Sequence, residues 1–182
     1  RYMRRLLFSL ILACFAVTAH AAPTTQGYYR FPTLHKDTLV FTAQGDLFKV
    51  SLSGGAAHAL TTHPAQETHA SLSPDGKWIA FTGSYEGPNE VYVMPTEGGL
   101  PTRLTYEGGN AIVIGWTPDG NVIYSSRLYS TLPDTQLVTI SPTTLTRTLI
   151  PLNQASDGTY DKVGGTFYFT RLPFQGSQTK RY

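Results

Sequence analysis

Cysteine is almost missing from this sequence. The one cysteine of the 182-residue chain is Cys14, so from residue 15 onward there is no disulfide, no thiol nucleophile and no cysteine-held metal. Charge is sparse as well. Asp, Glu, Lys and Arg make up 14% of the chain, against about a quarter in ordinary soluble proteins. Helical patterning is missing beyond the amino-terminal segment, where no stretch of ten or more residues places apolar side chains at i, i+3, i+4 and i+7 between capping signals. Nor is there a Gly-x-Ser-x-Gly elbow, a His-Glu-x-x-His pair, a phosphate loop or a Gly-x-Gly-x-x-Gly opening a helix. Nothing in the chain reads as an active site, and no cofactor is expected.

The amino terminus sets the compartment. After Met3 come Arg4 and Arg5, an uncharged run from Leu6 to Val17, and Ala19-His20-Ala21 ahead of Ala22. These are the three regions of a secretory signal peptide. The apolar run is about a dozen residues, too short for a bilayer crossing that needs about 20, so cleavage after Ala21 and an exported, periplasmic product are expected, with no membrane span left. Secretion is the alternative, as is a lipid anchor on Cys14, against which Leu12 stands where a lipobox prefers a small residue. Loss of residues 1–21 removes Arg1, Arg4 and Arg5, leaving 11 basic against 12 acidic residues. The sequence pI near 8.7 therefore reflects the export signal, and no basic surface for nucleic acid is expected.

Short β-branched and aromatic runs fill the rest. Leu39-Val40-Phe41-Thr42, Trp78-Ile79-Ala80-Phe81-Thr82, Val122-Ile123-Tyr124-Ser125 and Thr166-Phe167-Tyr168-Phe169-Thr170 are each bounded by Gly, Pro, Asp or Asn, as strands are. Phe41, Phe81, Tyr124 and Phe169 follow one another at 40, 43 and 45 residues, the span of one four-stranded propeller blade. Internal offsets agree. Asp46 and Glu90 each stand eight residues before a Gly-Gly pair, and Leu60-Thr61 and Leu104-Thr105 each begin five residues after it. Ser73-Pro74-Asp75-Gly76 is restated as Thr117-Pro118-Asp119-Gly120, a turn sequence in which Pro presets φ, Asp bonds the nearby backbone and Gly takes the positive φ.

The expected fold is all-β: an incomplete propeller of about three four-stranded blades and the start of a fourth, after a signal peptide at residues 1–21. Blade limits fall near 28–62, 68–106, 110–151 and 155–182 within a partial propeller spanning 22–182. The Pro-Asp-Gly turns join first and second strands; the Gly-Gly pairs join third and fourth.

The stretches Gly27-Tyr28-Tyr29-Arg30-Phe31-Pro32, Val40 to Leu47, Ser73 to Gly76, Tyr85 to Pro95 and Gly115 to Gly120 resemble the amino terminus of bacterial tricorn-like proteases, over nearly all of residues 27–182. The Ser-Pro-Asp-Gly element is shared with TolB-type propellers and with propellers of prolyl-oligopeptidase-like enzymes. The resemblance implies a long exported serine peptidase, homo-oligomeric, whose propeller filters or channels unfolded peptides to downstream catalytic domains. Those domains are missing here, and no catalytic residue of the family maps onto any position. Stand-alone TolB-type binding and a prolyl-oligopeptidase-like parent are the alternative readings.

Three groups of residues merit placement in the fold. His63, Glu67 and His69 invite a metal reading, but polar residues on the connection between blades one and two are the favoured one, and no metal is expected. Tyr28, Tyr29, Trp78, Tyr85, Tyr92, Trp116 and Tyr124 are expected mostly to fill space between blades. Tyr85, Glu86, Pro88 and Asn89 form a longer second-to-third-strand turn than that of blade one and are the candidate contact for a partner.

Overall fold

The computed structural model describes residues 27–130, 134–161 and 163–171. Among these residues fourteen strands form in chain order. The first sheet comprises β1 (Tyr29–His35), β2 (Thr38–Ala43), β3 (Asp46–Ser51) and β4 (His58–Ala59), hydrogen-bonded in that order. The second comprises β5 (Glu67–Leu72), β6 (Trp78–Gly83), β7 (Glu90–Pro95) and β8 (Thr102–Arg103), and the third β9 (Ile112–Trp116), β10 (Val122–Ser126), β11 (Gln136–Ile140) and β12 (Arg147–Leu149). β13 (Ala155–Tyr160) and β14 (Phe167–Arg171) pair as the start of a fourth. Every pairing is antiparallel. Among the described residues no helix forms. The all-β, open propeller expected from the repeat is what the chain builds, with Phe41, Phe81, Tyr124 and Phe169 each on the second strand of its blade.

The turns recur in register. Gly76 N donates to Ser73 O at 2.9 Å and Gly120 N to Thr117 O at 3.0 Å, with φ of 75° and 88° at the two glycines, a region open to glycine at no steric cost. Ser73 Oγ donates to Asp75 Oδ1 at 2.6 Å and accepts from Trp78 N at 2.9 Å. The hydroxyl thereby ties the turn to the strand that follows it.

The core lies between blades rather than inside any one of them. On β6 and β7 the pairs Ile79–Met94 and Phe81–Tyr92 face blade one, meeting Val40 and Leu47 in one apolar cluster. The alternate residues Ala80, Val91 and Val93 face the other way and meet Val113, Val122, Tyr124, Val138 and Ile140 of blade three. A strand with both faces covered needs apolar residues at consecutive positions, which is why Glu90–Pro95 is buried at every position but its last. Each large apolar side chain so buried stabilises by about 1.5–3 kcal/mol.

Blade one shows what happens where one face has no neighbouring blade among the described residues. Phe41 and Phe48 stack with ring centroids 5.9 Å apart and 16° between planes, as Phe81 and Tyr92 do at 5.7 Å and 20°. The second pair is buried between blades one and two, whereas the first is only half-buried.

Candidate functional site

The four first strands, β1, β5, β9 and β13, stand next to one another along the inner side of the array, β5 touching both β1 and β9, and β9 touching β13. Each of their pairings with a second strand contains a register shift: between Arg30 and Thr33, between Thr68 and Ser71, opposite Ile123 and Tyr124, and between Ala155 and Asp157. Bulges turn side chains away from the plain alternation and re-aim them. Phe31 and His69 sit at two of these bulges with φ of 51° and 52°, and their rings meet at 4.0 Å. With Ile112, Ile114 and Asp157 they line a groove of about 390 Å³. Burial holds the His69 imidazole below its usual pKa, with the Asp157 carboxylate pulling the other way. His69 Nδ1 lies 3.0 Å from Thr68 Oγ1, a pairing of sequence neighbours on one strand.

His63, Glu67 and His69 are not brought together. His63 lies on the connection and its ring packs on Tyr85 at 4.2 Å; His69 faces Phe31. Glu67 and His69 both depart from the expectation of polar residues on the connection, standing on β5 instead, and Glu67 departs further. It opens β5 and is fully buried. Its Oε2 accepts from Thr61 Oγ1 and from Leu47 N at 3.3 Å, and its Oε1 from the Tyr85 hydroxyl at 2.5 Å. The reason is geometric: Glu67 N donates to Gly45 O at 2.8 Å, which draws the residue in against blade one. Among the described residues no three His, Cys, Asp or Glu side chains form a group able to hold a metal ion.

Glu67 belongs to a set that the sequence did not disclose. Glu90 is buried at the start of β7, its Oε2 accepting from Thr105 Oγ1 at 2.5 Å and its Oε1 from Glu107 N at 2.8 Å and Gly108 N at 2.9 Å. Glu107, on the connection out of blade two, accepts from the Tyr124 hydroxyl at 2.7 Å and from Ser126 Oγ, both in blade three. Thr61 and Thr105 also accept from Leu47 N and Val91 N, at 2.9 and 2.8 Å. Thus a carboxylate bonded to a tyrosine and a threonine or serine hydroxyl fastens each of the first two blade junctions. Burial, and the carboxylate each one donates to, push the phenols of Tyr85 and Tyr124 far up, so both stay protonated donors. The recurrence of Leu60-Thr61 as Leu104-Thr105 was the available signal, a polar residue kept at an otherwise buried position.

The candidate contact loop divides. Tyr85 packs on the blade one–two core beside Phe81 and Tyr92. Asn89 Nδ2 donates to Asn110 Oδ1 at 2.6 Å, and Asn89 O accepts from Ala111 N at 3.0 Å. Glu86 is exposed and pairs with Arg103, which also reaches Glu90 Oε1 at 3.1 Å. Pro88 is half-buried. Tyr85 and Asn89 anchor the loop to its neighbours, leaving Glu86 at the rim. Among the aromatic residues, Tyr92 and Tyr124 fill inter-blade core, while Tyr28, Tyr29 and Trp78 are exposed.

Comparison with known proteins agrees with this geometry. The chain is 41% identical over 108 residues to tricorn protease homolog 1 of Streptomyces coelicolor, covering 59% of this chain and 10% of that protein. It is 40% identical over 93 residues to putative tricorn protease homolog 2 of the same organism, covering 50% and 8%. The match thus spans about a tenth of the length of these relatives. Among solved structures, the tricorn protease superposes with a TM-score of 0.63 at 25% identity, over 75% of this chain and 14% of that one. A putative TolB from Agrobacterium tumefaciens superposes at 0.69 and 22% identity, over 80% and 54%, which shows a shared fold. The tricorn protease N-terminal β-propeller domain matches residues 26–182, and the chain belongs to that family.

Proposed function

We propose that this propeller is the non-catalytic amino-terminal portion of an exported serine peptidase of the tricorn type and guides unfolded peptides along its inner edge. The observation that supports the reading is the inner groove, where four first strands run side by side and the bulged Phe31 and His69, with Asp157, line one passage. A first strand has a partner on one side only, so its inner edge offers backbone donors and acceptors to an extended peptide. An apolar ring beside a carboxylate suits transient contact with many sequences. The nucleophile, its base and the oligomeric assembly of the working enzyme lie in the rest of the parent. A stand-alone binding propeller, as the likeness to TolB suggests, is the second reading.

The test is photo-crosslinking in the full-length parent. An unfolded peptide bearing a benzophenone should label β1, β5 or β9 near Phe31, His69 and Ile112, while residues 22–182 alone leave a fluorogenic peptide uncleaved and the parent cleaves it. Labelling confined to other domains, or turnover by residues 22–182, would overturn the proposal.

A further inference from the structure

A second groove, of about 530 Å³, lies on the opposite side of the blades from the Tyr85 loop, where the first-to-second-strand turns emerge. It runs between blades two and three, each of which has neighbours on both faces, so it is a feature of two complete blades. Its floor and walls include Trp78 and Trp116, Pro74 and Pro118, and Asp75 and Asp119. The arrangement follows from the repeat: Trp78 comes just after one Pro-Asp-Gly turn and Trp116 just before the other, so two indoles and two turns converge at one junction.

The indoles are held differently. Trp116 Nε1 donates to Ser71 O at 2.9 Å and its ring packs on the blade two–three core. Trp78 is 44% exposed, so part of its indole is open to solvent. The carboxylates are held as acceptors. Asp75 takes bonds from Ser73 Oγ and Lys77 N, which keep its pKa below the usual carboxylate value, and Asp119 Oδ2 accepts from Asn121 Nδ2 at 2.9 Å. Among the described residues no Lys or Arg lines the groove; Lys77 Nζ stands 4.0 Å from Asp75 with its side chain 78% exposed.

We propose that this groove binds an extended peptide segment carrying basic side chains, the cation lying over the Trp78 ring and between the Asp75 and Asp119 carboxylates. An indole face attracts a guanidinium or ammonium through its quadrupole. The aliphatic stem of Arg or Lys packs on apolar surface while the head keeps its solvation, and the prolines and Trp116 supply that surface. The two carboxylates, one from each turn, reject acidic segments and favour basic ones. The site is independent of the inner passage, so either reading can fail without the other.

Trp78 and Trp116 are the two tryptophans of the chain, so intrinsic fluorescence reports on this groove. The chain is titrated with acetylated, amidated Gly-Arg-Gly-Arg-Gly to about 1 mM, the range in which weak peptide sites saturate. A saturable change in tryptophan emission is expected, absent with Gly-Gln-Gly-Gln-Gly. Asp75→Asn with Asp119→Asn, which keeps the turn acceptors, should weaken binding by about three- to tenfold. Raising NaCl from about 20 mM to about 0.5 M should weaken it as well, and this arm decides the matter if the double variant misfolds. No saturable change, equal affinity for the glutamine peptide or for free arginine, an unaltered double variant, or indifference to salt would each overturn the proposal.

Discussion

The Tyr85 hydroxyl donates to Glu67 Oε1 at 2.5 Å, so a residue from the loop after β6 closes the far side of a carboxylate whose other oxygen is bonded by Thr61 and Leu47 of blade one. One buried side chain therefore joins two blades and one surface loop.

That carboxylate should make stability depend on pH. Burial raises the Glu67 pKa above the usual 4.5, the hydrogen bonds from Thr61 and Tyr85 offsetting part of the shift. Because the folded-state pKa is the higher one, the native chain holds a proton that the unfolded chain has released. The stability from this group is full below about pH 4.5 and is lost as pH rises through the folded-state pKa. Glu67→Gln can keep its oxygen on Leu47 and Thr61 and donate its amide to Tyr85 Oη. It should gain on the wild type as pH rises from about 4 to about 7.5, measured by urea midpoints. Glu67→Ala, which strands the Tyr85 and Thr61 hydroxyls, should cost about 2–4 kcal/mol at both. A Gln-to-wild-type difference that ignores pH would defeat the argument.

Equivalent positions should give unequal costs. Phe81 is fully buried between blades, and Phe41, its counterpart on β2, is half-buried on an open face. Phe81→Ala should destabilise by about 3–5 kcal/mol. Phe41→Ala should cost less, by about 1 kcal/mol or more, since part of its ring stays in contact with water and that part of the transfer energy is not realised. Chemical denaturation of the two variants compares them directly, and equal costs would mean that Phe41 is covered in solution.

Periodicity made the fold legible. The spacing of Phe41, Phe81 and Tyr124 marks second strands because each blade repeats one hydrophobic pattern, and Ser73 to Gly76 and Thr117 to Gly120 mark turns because few residues take those dihedrals. The site was harder to read. Glu67, Glu90 and Glu107 look in sequence like surface acids; what buries the first two and half-buries the third is the approach of hydroxyls and amides from distant positions, 20 residues away for Leu47 and Glu67. Trp78 and Trp116 were expected mainly as packing because their shared groove exists only once two blades lie side by side. Bulges at Phe31 and His69 likewise leave no mark in strand alternation.

Export makes a prediction of its own. We propose that Arg4-Arg5, the apolar run and Ala19-His20-Ala21 act as a signal peptide cleaved before Ala22. Mass spectrometry of the protein recovered from the periplasmic fraction of expressing cells should find its amino terminus there. A soluble cytoplasmic product that keeps Met3 would refute it.

The open face of blade one should make the chain associate with itself. Phe41 and Phe48 are half-buried and Tyr29, which meets Phe41 edge-on at 5.2 Å, is 64% exposed. Together with residues of the neighbouring connection they line a concavity of about 660 Å³. Between blades one and two the corresponding rings are sealed by Val40 and Leu47, so this face has the shape and chemistry of one half of a blade junction. Contiguous apolar surface of this kind drives association when nothing covers it. Light scattering on residues 22–182 should find mass rising with concentration. Phe48→Lys with Tyr29→Ser, which puts charge and small polar bulk on the face while sparing the inter-blade core, should shift the population toward monomer without changing the far-ultraviolet β signal. A wild-type chain that stays monomeric at all concentrations would show that the exposed rings are tolerated in water, and association that survives both substitutions would place the contact elsewhere, for instance on the exposed Tyr168 and Phe169 of β14.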